Sequence, residues 1–145
     1  MELIVKHFRE LTLDELADIY QLRVAVFVVE QHCPYQEVDE ADKSAYHLFL
    51  RDADGIQAYA RVLPPGTAFP GAAIGRVIAR KRRCGLGTRI VAAAIETARA
   101  CFSPTAIELD AQVYAQGLYE KAGFVPTSAP FLEDGIPHIH MTLHP

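Results

Sequence analysis

The run Arg82-Arg83-Cys84-Gly85-Leu86-Gly87-Thr88 follows an apolar, β-like stretch and opens a helix-like stretch rich in Ala and Ile. Gly85 and Gly87 lack a Cβ, so the chain can turn tightly there and a ligand can approach the backbone closely. The first turn of a helix holds N–H groups with no intrahelical partner, and the helix dipole favours negative charge at that end. Arg80, Lys81, Arg82, Arg83 and Arg89 crowd around the junction. The chemistry this arrangement suits is the cradling of a phosphate or pyrophosphate. The competing reading is a plain glycine turn with solvated basic neighbours, because motifs this short are weak alone. A P-loop is excluded, since Gly85-Leu86-Gly87-Thr88 lacks the Gly-Lys-Ser/Thr ending.

Other residues invite chemistry less strongly. His138-x-His140 places two imidazoles on one strand face with His144 nearby, yet no third ligand is identifiable, so no metal site is expected. Cys84 sits beside arginines near a helix start, where a thiol pKa tends to fall, but no neighbouring base supports a nucleophile. Cys33, Cys84 and Cys101 are odd in number and widely spaced, which reads as reduced packing residues and not as a disulfide framework. The acidic run Glu37, Asp39, Glu40 and Asp42 either attracts a cationic ligand or is a solvated loop.

These groups need a scaffold, and 145 residues suffice for a single domain with its own core, assigned to 1–145. Half of the residues are hydrophobic, and the net charge of −4 argues against a general nucleic-acid binder. No stretch approaches the roughly 18 apolar residues of a membrane span, and Met1 to Lys6 lacks the apolar core of a signal peptide. The expectation is a cytoplasmic protein with no membrane partner, either monomer or homodimer.

Glu2 to Phe8 reads as a strand, and Thr12-Leu13-Asp14-Glu15 is a capping box. Leu16, Tyr20, Val24 and Phe27 recur at helical spacing, predicting a helix from Leu13 to about Val29. Tyr46 to Leu50 and Ile56 to Leu63 are strands joined at Asp54-Gly55, a hairpin signal. Ala72 to Ala79 is another strand, Leu86 to Ala100 a largely buried helix, and Ile107 to Asp110 the next strand. Ala115 to Ala122 is a short helix with Gly123 as C-cap, and Phe124-Val125 and His138 to Leu143 are the last strands. The fold class is α/β. Ala72 to Asp110 forms a βαβ unit with parallel strands, and ligands bind beyond the C-terminal ends of such strands.

Three blocks then resemble the GNAT superfamily of acyl-CoA-dependent N-acetyltransferases: Ile74-Gly75-Arg76-Val77-Ile78-Ala79, the Arg-x-x-Gly-x-Gly pattern at Arg82, Gly85 and Gly87, and Leu118-Tyr119-Glu120-Lys121-Ala122-Gly123-Phe124. Further blocks resemble the ElaA-type subfamily: Val26 to Gln31, Cys33-Pro34-Tyr35, Asp110-Ala111-Gln112 and Glu133 to His138. Two positions depart from the superfamily pattern, Arg83 where Gly is frequent and Gln112 where Asn is frequent.

The resemblance implies a mixed, centrally splayed sheet flanked by helices, and transfer of an acetyl group from acetyl-CoA to an amine of a small molecule or protein. It implies that the pantetheine arm pairs with Val77, Ile78 and Ala79 in the gap of the splay. Arg82, Arg83, Cys84, Gly85, Leu86, Gly87 and Thr88 would hold the CoA phosphates, with Gln112 near the cosubstrate. A backbone N–H near Ile78 would polarise the thioester carbonyl. Tyr119 falls at the family's tyrosine position, as general acid or as a core tyrosine. Glu30 and His138 are the candidate bases, each with a structural role as alternative, and ordered water is a further route. Two other functions stay open: a non-catalytic acyl-CoA sensor, and a dinucleotide-binding oxidoreductase, for which the third glycine is missing at Ile90.

Overall fold

The computed structural model describes residues 1–81 and 84–145. A first strand β1 (Glu2–His7) leads through a short 3-10 turn to helix α1 (Leu13–Val24), which continues as a π-helical segment over Ala25–Glu30. The expected capping box is in place, with the Thr12 amide donating to Glu15 Oε1 at 2.9 Å and the Glu15 amide donating to Thr12 Oγ1 at 3.1 Å. Three strands follow: β2 (Tyr46–Asp52), β3 (Gly55–Leu63) and β4 (Ala72–Ala79). Helix α2 (Leu86–Phe102), strand β5 (Ile107–Gln112) and helix α3 (Gln116–Lys121) come next. The chain closes with β6 (Val125–Pro126), β7 (Phe131–Glu133) and β8 (Ile136–Leu143).

The strands form one mixed sheet in the order β1-β2-β3-β4-β5-β8-β6, with β7 also paired to β8. Among the described residues only β4 and β5 run parallel, as the βαβ reading requires. A dinucleotide-binding domain needs a doubly wound parallel sheet, and this one is mostly antiparallel.

Alternation along the central strands builds two cores. Leu48 and Leu50 of β2 and Ala58, Ala60 and Val62 of β3 face the Leu86, Ile90, Val91 and Ala94 stripe of α2. Phe49 and Tyr59 point the opposite way, to Ile19 of α1 and Ile78 of β4. Small side chains at Ala58, Ala60, Ala94 and Ala98, all fully buried, let α2 lie close on the sheet. Among the described residues no helix is long and apolar enough to cross a membrane.

Three elements differ from expectation. The first helix does not end near Val29 as an α-helix but finishes in a π turn. β5 runs on to Gln112, because it pairs with β8 as far as Gln112↔His138. Phe131–Glu133 is a strand paired with Ile136–His138 around Asp134 and Gly135, both at positive φ, 52° and 76°.

Candidate active site

The sheet forks at its centre. β4 and β5 pair only at Ala72↔Ile107 and Ala73↔Glu108. Beyond that point β4 stays with β3 as far as Ala79, and β5 stays with β8 as far as Gln112. The parting leaves a cavity of about 430 Å³, lined from one side by Ile74 to Val77 and from the other by Leu109, Asp110 and Gln112.

β4 is irregular where it enters the gap. Tyr59 pairs with Ile78 but Arg61 pairs with Gly75, so Arg76 and Val77 together oppose Ala60 alone. Arg76 takes a φ of 54°, the left-handed region. Past this bulge the Arg80 amide donates to Gln57 O at 2.9 Å, which makes Ala58↔Ala79 the pair that exchanges no bonds. The Ala79 amide therefore turns away from β3 and into the gap, and by the same alternation Ile78 addresses Tyr59 while Val77 addresses the gap.

At the helix end of the gap, Gly85 caps α2 from the left-handed region, with φ 74°. The Arg89 amide donates to Gly85 O at 3.0 Å, so the amides of Leu86, Gly87 and Thr88 precede the first intrahelical bond. A Cβ on Gly87 would stand 3.3 Å from Leu118 Cδ2 of α3, so a side chain there would require Leu118 to shift by a few tenths of an ångström. Cys84 and Thr88 are exposed, while Leu86 is buried. Arg82 and Arg83 lie outside the described residues.

The cavity itself is lined by side chains from several elements. Tyr119 lines it while packing edge-to-face on Phe124, so a core position and access to the cavity coexist. Burial, reinforced by Tyr114, raises the Tyr119 phenol pKa and keeps its proton on. His138 also lines the cavity; its Nδ1 donates to Ile136 O at 2.7 Å, because a carbonyl can only accept. The neutral ring then carries its lone pair on Nε2, 3.7 Å from Glu133 Oε2. Gln112 lines the cavity and donates to Gln31 Oε1 at 3.3 Å. Glu30 is not brought into this group. It is exposed at the end of the π turn, which presents Phe27, and just beyond it Gln31, to the cavity.

The acidic run is neither a solvated loop nor an open attractor. Arg23, fully buried on α1, donates through Nε to both oxygens of Glu37 at 3.1 and 3.0 Å, and through Nη1 and Nη2 to Asp42 at 2.7 and 3.2 Å. Arg61 binds Asp39 at 2.7 Å and Asp42 at 3.0 Å. Arg76 binds Glu37 and Asp39. Three guanidinium groups thus meet three carboxylates. Burial alone would raise the Asp42 pKa, but hydrogen bonds and charge from Arg23 and Arg61 bring it below the ordinary value. His47, lowered by burial, closes the network as a neutral ring: Nε2 donates to Asp42 O at 3.0 Å and Nδ1 accepts from Tyr59 Oη at 2.6 Å. Only Glu40 is a surface acid, paired with Lys43.

His140 has a separate role. Its Nδ1 lies 2.7 Å from Asp110 Oδ1 and its Nε2 3.1 Å from Glu108 Oε1, with Phe69 edge-on to the ring. Burial would lower its pKa, yet the two carboxylates outweigh that and raise it. Glu108 Oε2 in turn accepts from the Gly71 amide at 2.7 Å. His138 and His140 therefore serve different partners, and among the described residues no group of three or more His, Cys, Asp or Glu is arranged for a metal.

Known proteins share this architecture. The family model for the acetyltransferase (GNAT) domain matches residues 15–145. A UPF0039 protein of Schizosaccharomyces pombe is 45% identical, covering 99% of this chain and 97% of its own length. ElaA of Escherichia coli is 37% identical, over 93% of this chain and 91% of its own. The crystal structure of ElaA superposes with a TM-score of 0.88 at 36% identity, covering 98% of this chain and 99% of that one. An acyl-CoA N-acyltransferase from Pseudomonas aeruginosa reaches a TM-score of 0.90 at 40% identity, with 98% and 99% covered. With a forked sheet, a glycine-capped helix beside the fork and the match over nearly its whole length, this chain belongs to the GNAT acetyltransferase family, whose fold uses acyl-CoA as cosubstrate, and it groups there with ElaA.

Proposed function

We propose that the protein transfers the acetyl group of acetyl-CoA directly to an amine in a ternary complex. The observation that carries this reading is the parting of β4 from β5 beyond Ala73 and Glu108, which turns two strand edges into a slot. In this reading the pantetheine arm lies along β4 as a missing strand, hydrogen-bonded to Val77 and Ala79, with Ile78 packing behind them. The amides of Leu86, Gly87 and Thr88 hold the pyrophosphate at the start of α2, flanked by Cys84 and Gly85, with Arg82 and Arg83 adding charge. Gln112 borders the acyl end of the slot from β5.

The amine must be neutral to attack the thioester carbon. His138 Nε2 accepts the proton the nitrogen sheds, and the Val77 amide polarises the carbonyl oxygen as a fixed donor. The new C–N bond forms, the C–S bond breaks, and the departing thiolate takes a hydrogen bond from the Tyr119 hydroxyl. A phenol whose pKa is raised is a poor outright acid at neutral pH but a dependable donor, and a donor aimed at developing negative charge lowers the barrier. Glu30 is given no part, because it is exposed and off the cavity.

The test is acetyl-CoA turnover over a panel of small amines and amine-bearing peptides, read as released thiol. Tyr119→Phe is expected to lower kcat about 100-fold, at the low end of the range for one lost transition-state donor, with CoA affinity within about twofold. CoA binding without turnover across the panel would instead establish a sensor, and a thermal shift with NAD alone would overturn the acyl-CoA reading.

A further inference from the structure

Arg76 stands in a backbone conformation usually left to glycine. The left-handed region costs a side-chain-bearing residue about 1–2 kcal/mol. Arg76 nevertheless adopts φ 54°. Its guanidinium is held from several directions: Nε donates to Glu37 Oε2, Nη2 donates to Glu37 O at 3.0 Å and to Asp39 Oδ2 at 3.4 Å, and the group lies 5.6 Å from the centre of the Tyr35 ring. Glu37 is itself immobilised, 2% exposed and gripped by Arg23 through both carboxylate oxygens and its carbonyl. The anchor is therefore α1, and the strand it reaches is the one bordering the slot.

We propose that Glu37 is a positioning residue for acetyl transfer: through Arg76 it locks the β4 bulge in its left-handed turn and so aims the Val77 amide into the slot. Glu37 touches neither substrate in this arrangement; it acts through the Arg76 backbone. The inference rests on the acetyl-transfer reading above, and it assigns the acidic segment a part in catalysis without contact with the acceptor.

Substituting Glu37 directly would leave Arg23 facing an empty site in the core, so the informative changes are at Arg76, whose side chain is 20% exposed. Arg76→Ala removes the clamp and keeps the left-handed penalty. Arg76→Gly removes the clamp and the penalty together. With purified full-length protein, Arg76→Ala is expected to lower kcat at least about tenfold and to speed hydrogen exchange at Val77 to Ala79, while Arg76→Gly recovers most of both; acetyl-CoA affinity stays within about twofold in each. A conservative Arg76→Lys, which keeps charge but loses the fork, should fall between them.

Three results would overturn the proposal: equal losses in Ala and Gly variants, wild-type turnover and exchange in the Ala variant, or a raised acceptor KM at unchanged kcat in both. If the wild-type protein turns over no amine, the acetyl-transfer reading fails on that ground, and the exchange measurement still decides whether the clamp holds the bulge.

Discussion

In the reading proposed above, the groups that meet the cosubstrate at the start of α2 are backbone amides, fixed by Gly85 at φ 74° and by the helix itself. At the other end they are side chains drawn from β3, β4, β5, α3 and β8, and Arg61, Arg76 and Asp110 among them are fixed by ion pairs, Arg61 and Arg76 to the carboxylates that the buried Arg23 also holds. The glycine end needs little from the rest of the molecule beyond room at Gly87. The charged end cannot be separated from global stability, because Arg23, Glu37 and Asp42 are buried and each depends on the others for compensation. Damage should therefore show as lost affinity at one end and as unfolding at the other.

The largest expected effect breaks the charged end. Arg23→Ala leaves Glu37 and Asp42 buried without their shared partner, and the denaturant midpoint should report a loss of about 3–5 kcal/mol. A loss below about 1 kcal/mol would erase the contrast between the two ends. Gly85→Val forces a β-branched residue into the left-handed region, at about 1–2 kcal/mol. The loop should relax away from its present geometry, weakening acetyl-CoA binding about tenfold by calorimetry while moving the denaturant midpoint far less than Arg23→Ala does. Unchanged affinity would show that the loop is not where CoA is held.

The smallest effect concerns His140. Its folded pKa lies above the unfolded value of about 6.5, so the imidazolium between Glu108 and Asp110 stabilises the fold. That contribution is complete below about pH 6.5 and disappears as pH rises through the folded value. His140→Gln should therefore lower the unfolding midpoint at pH 5.5, by about 1 kcal/mol or less, and approach the wild type at alkaline pH. A difference that grows with pH would reverse the sign and remove the imidazolium from the account.

The same contrast explains what could be read from sequence. The glycine end was legible because its parts are contiguous: a strand, two glycines and an Ala-rich helix follow one another, and the βαβ order makes β4 and β5 parallel. The hairpin at Asp54-Gly55 was legible for the same local reason. The charged end joins Arg23, Glu37, Asp42, Arg61 and Arg76, which no periodicity connects. One signal was available. Arg23 follows Glu15 and Ile19 at four-residue steps on the buried stripe of α1, and Arg61 interrupts an apolar strand, so both are charges at core positions that demand buried counterions. The β7–β8 turn carries the same Asp-Gly pair that marks β2–β3, yet Asp134-Gly135 is flanked by Glu133 and by Pro137, which weaken the strand pattern. Glu30, a candidate base beside a structural alternative, ends the π turn exposed and outside the cavity lining, and no local pattern distinguishes that orientation from one facing the cavity.

The fork in the sheet carries a liability of its own. An ordinary sheet has two borders, and this one gains two more inside, where β4 and β5 part and leave main-chain groups without strand partners. Such borders are templates for a foreign strand, and the usual protection is a charge, a proline or an irregularity. β4 has the irregularity: an invading extended chain needs an unbroken two-residue repeat, and the extra residue at Arg76 and Val77 interrupts it with a guanidinium at the same place. On the acyl-CoA reading proposed above, the distortion that would admit a narrow, flexible thioester arm would disfavour a polypeptide, so that the open slot would favour its cosubstrate over self-association.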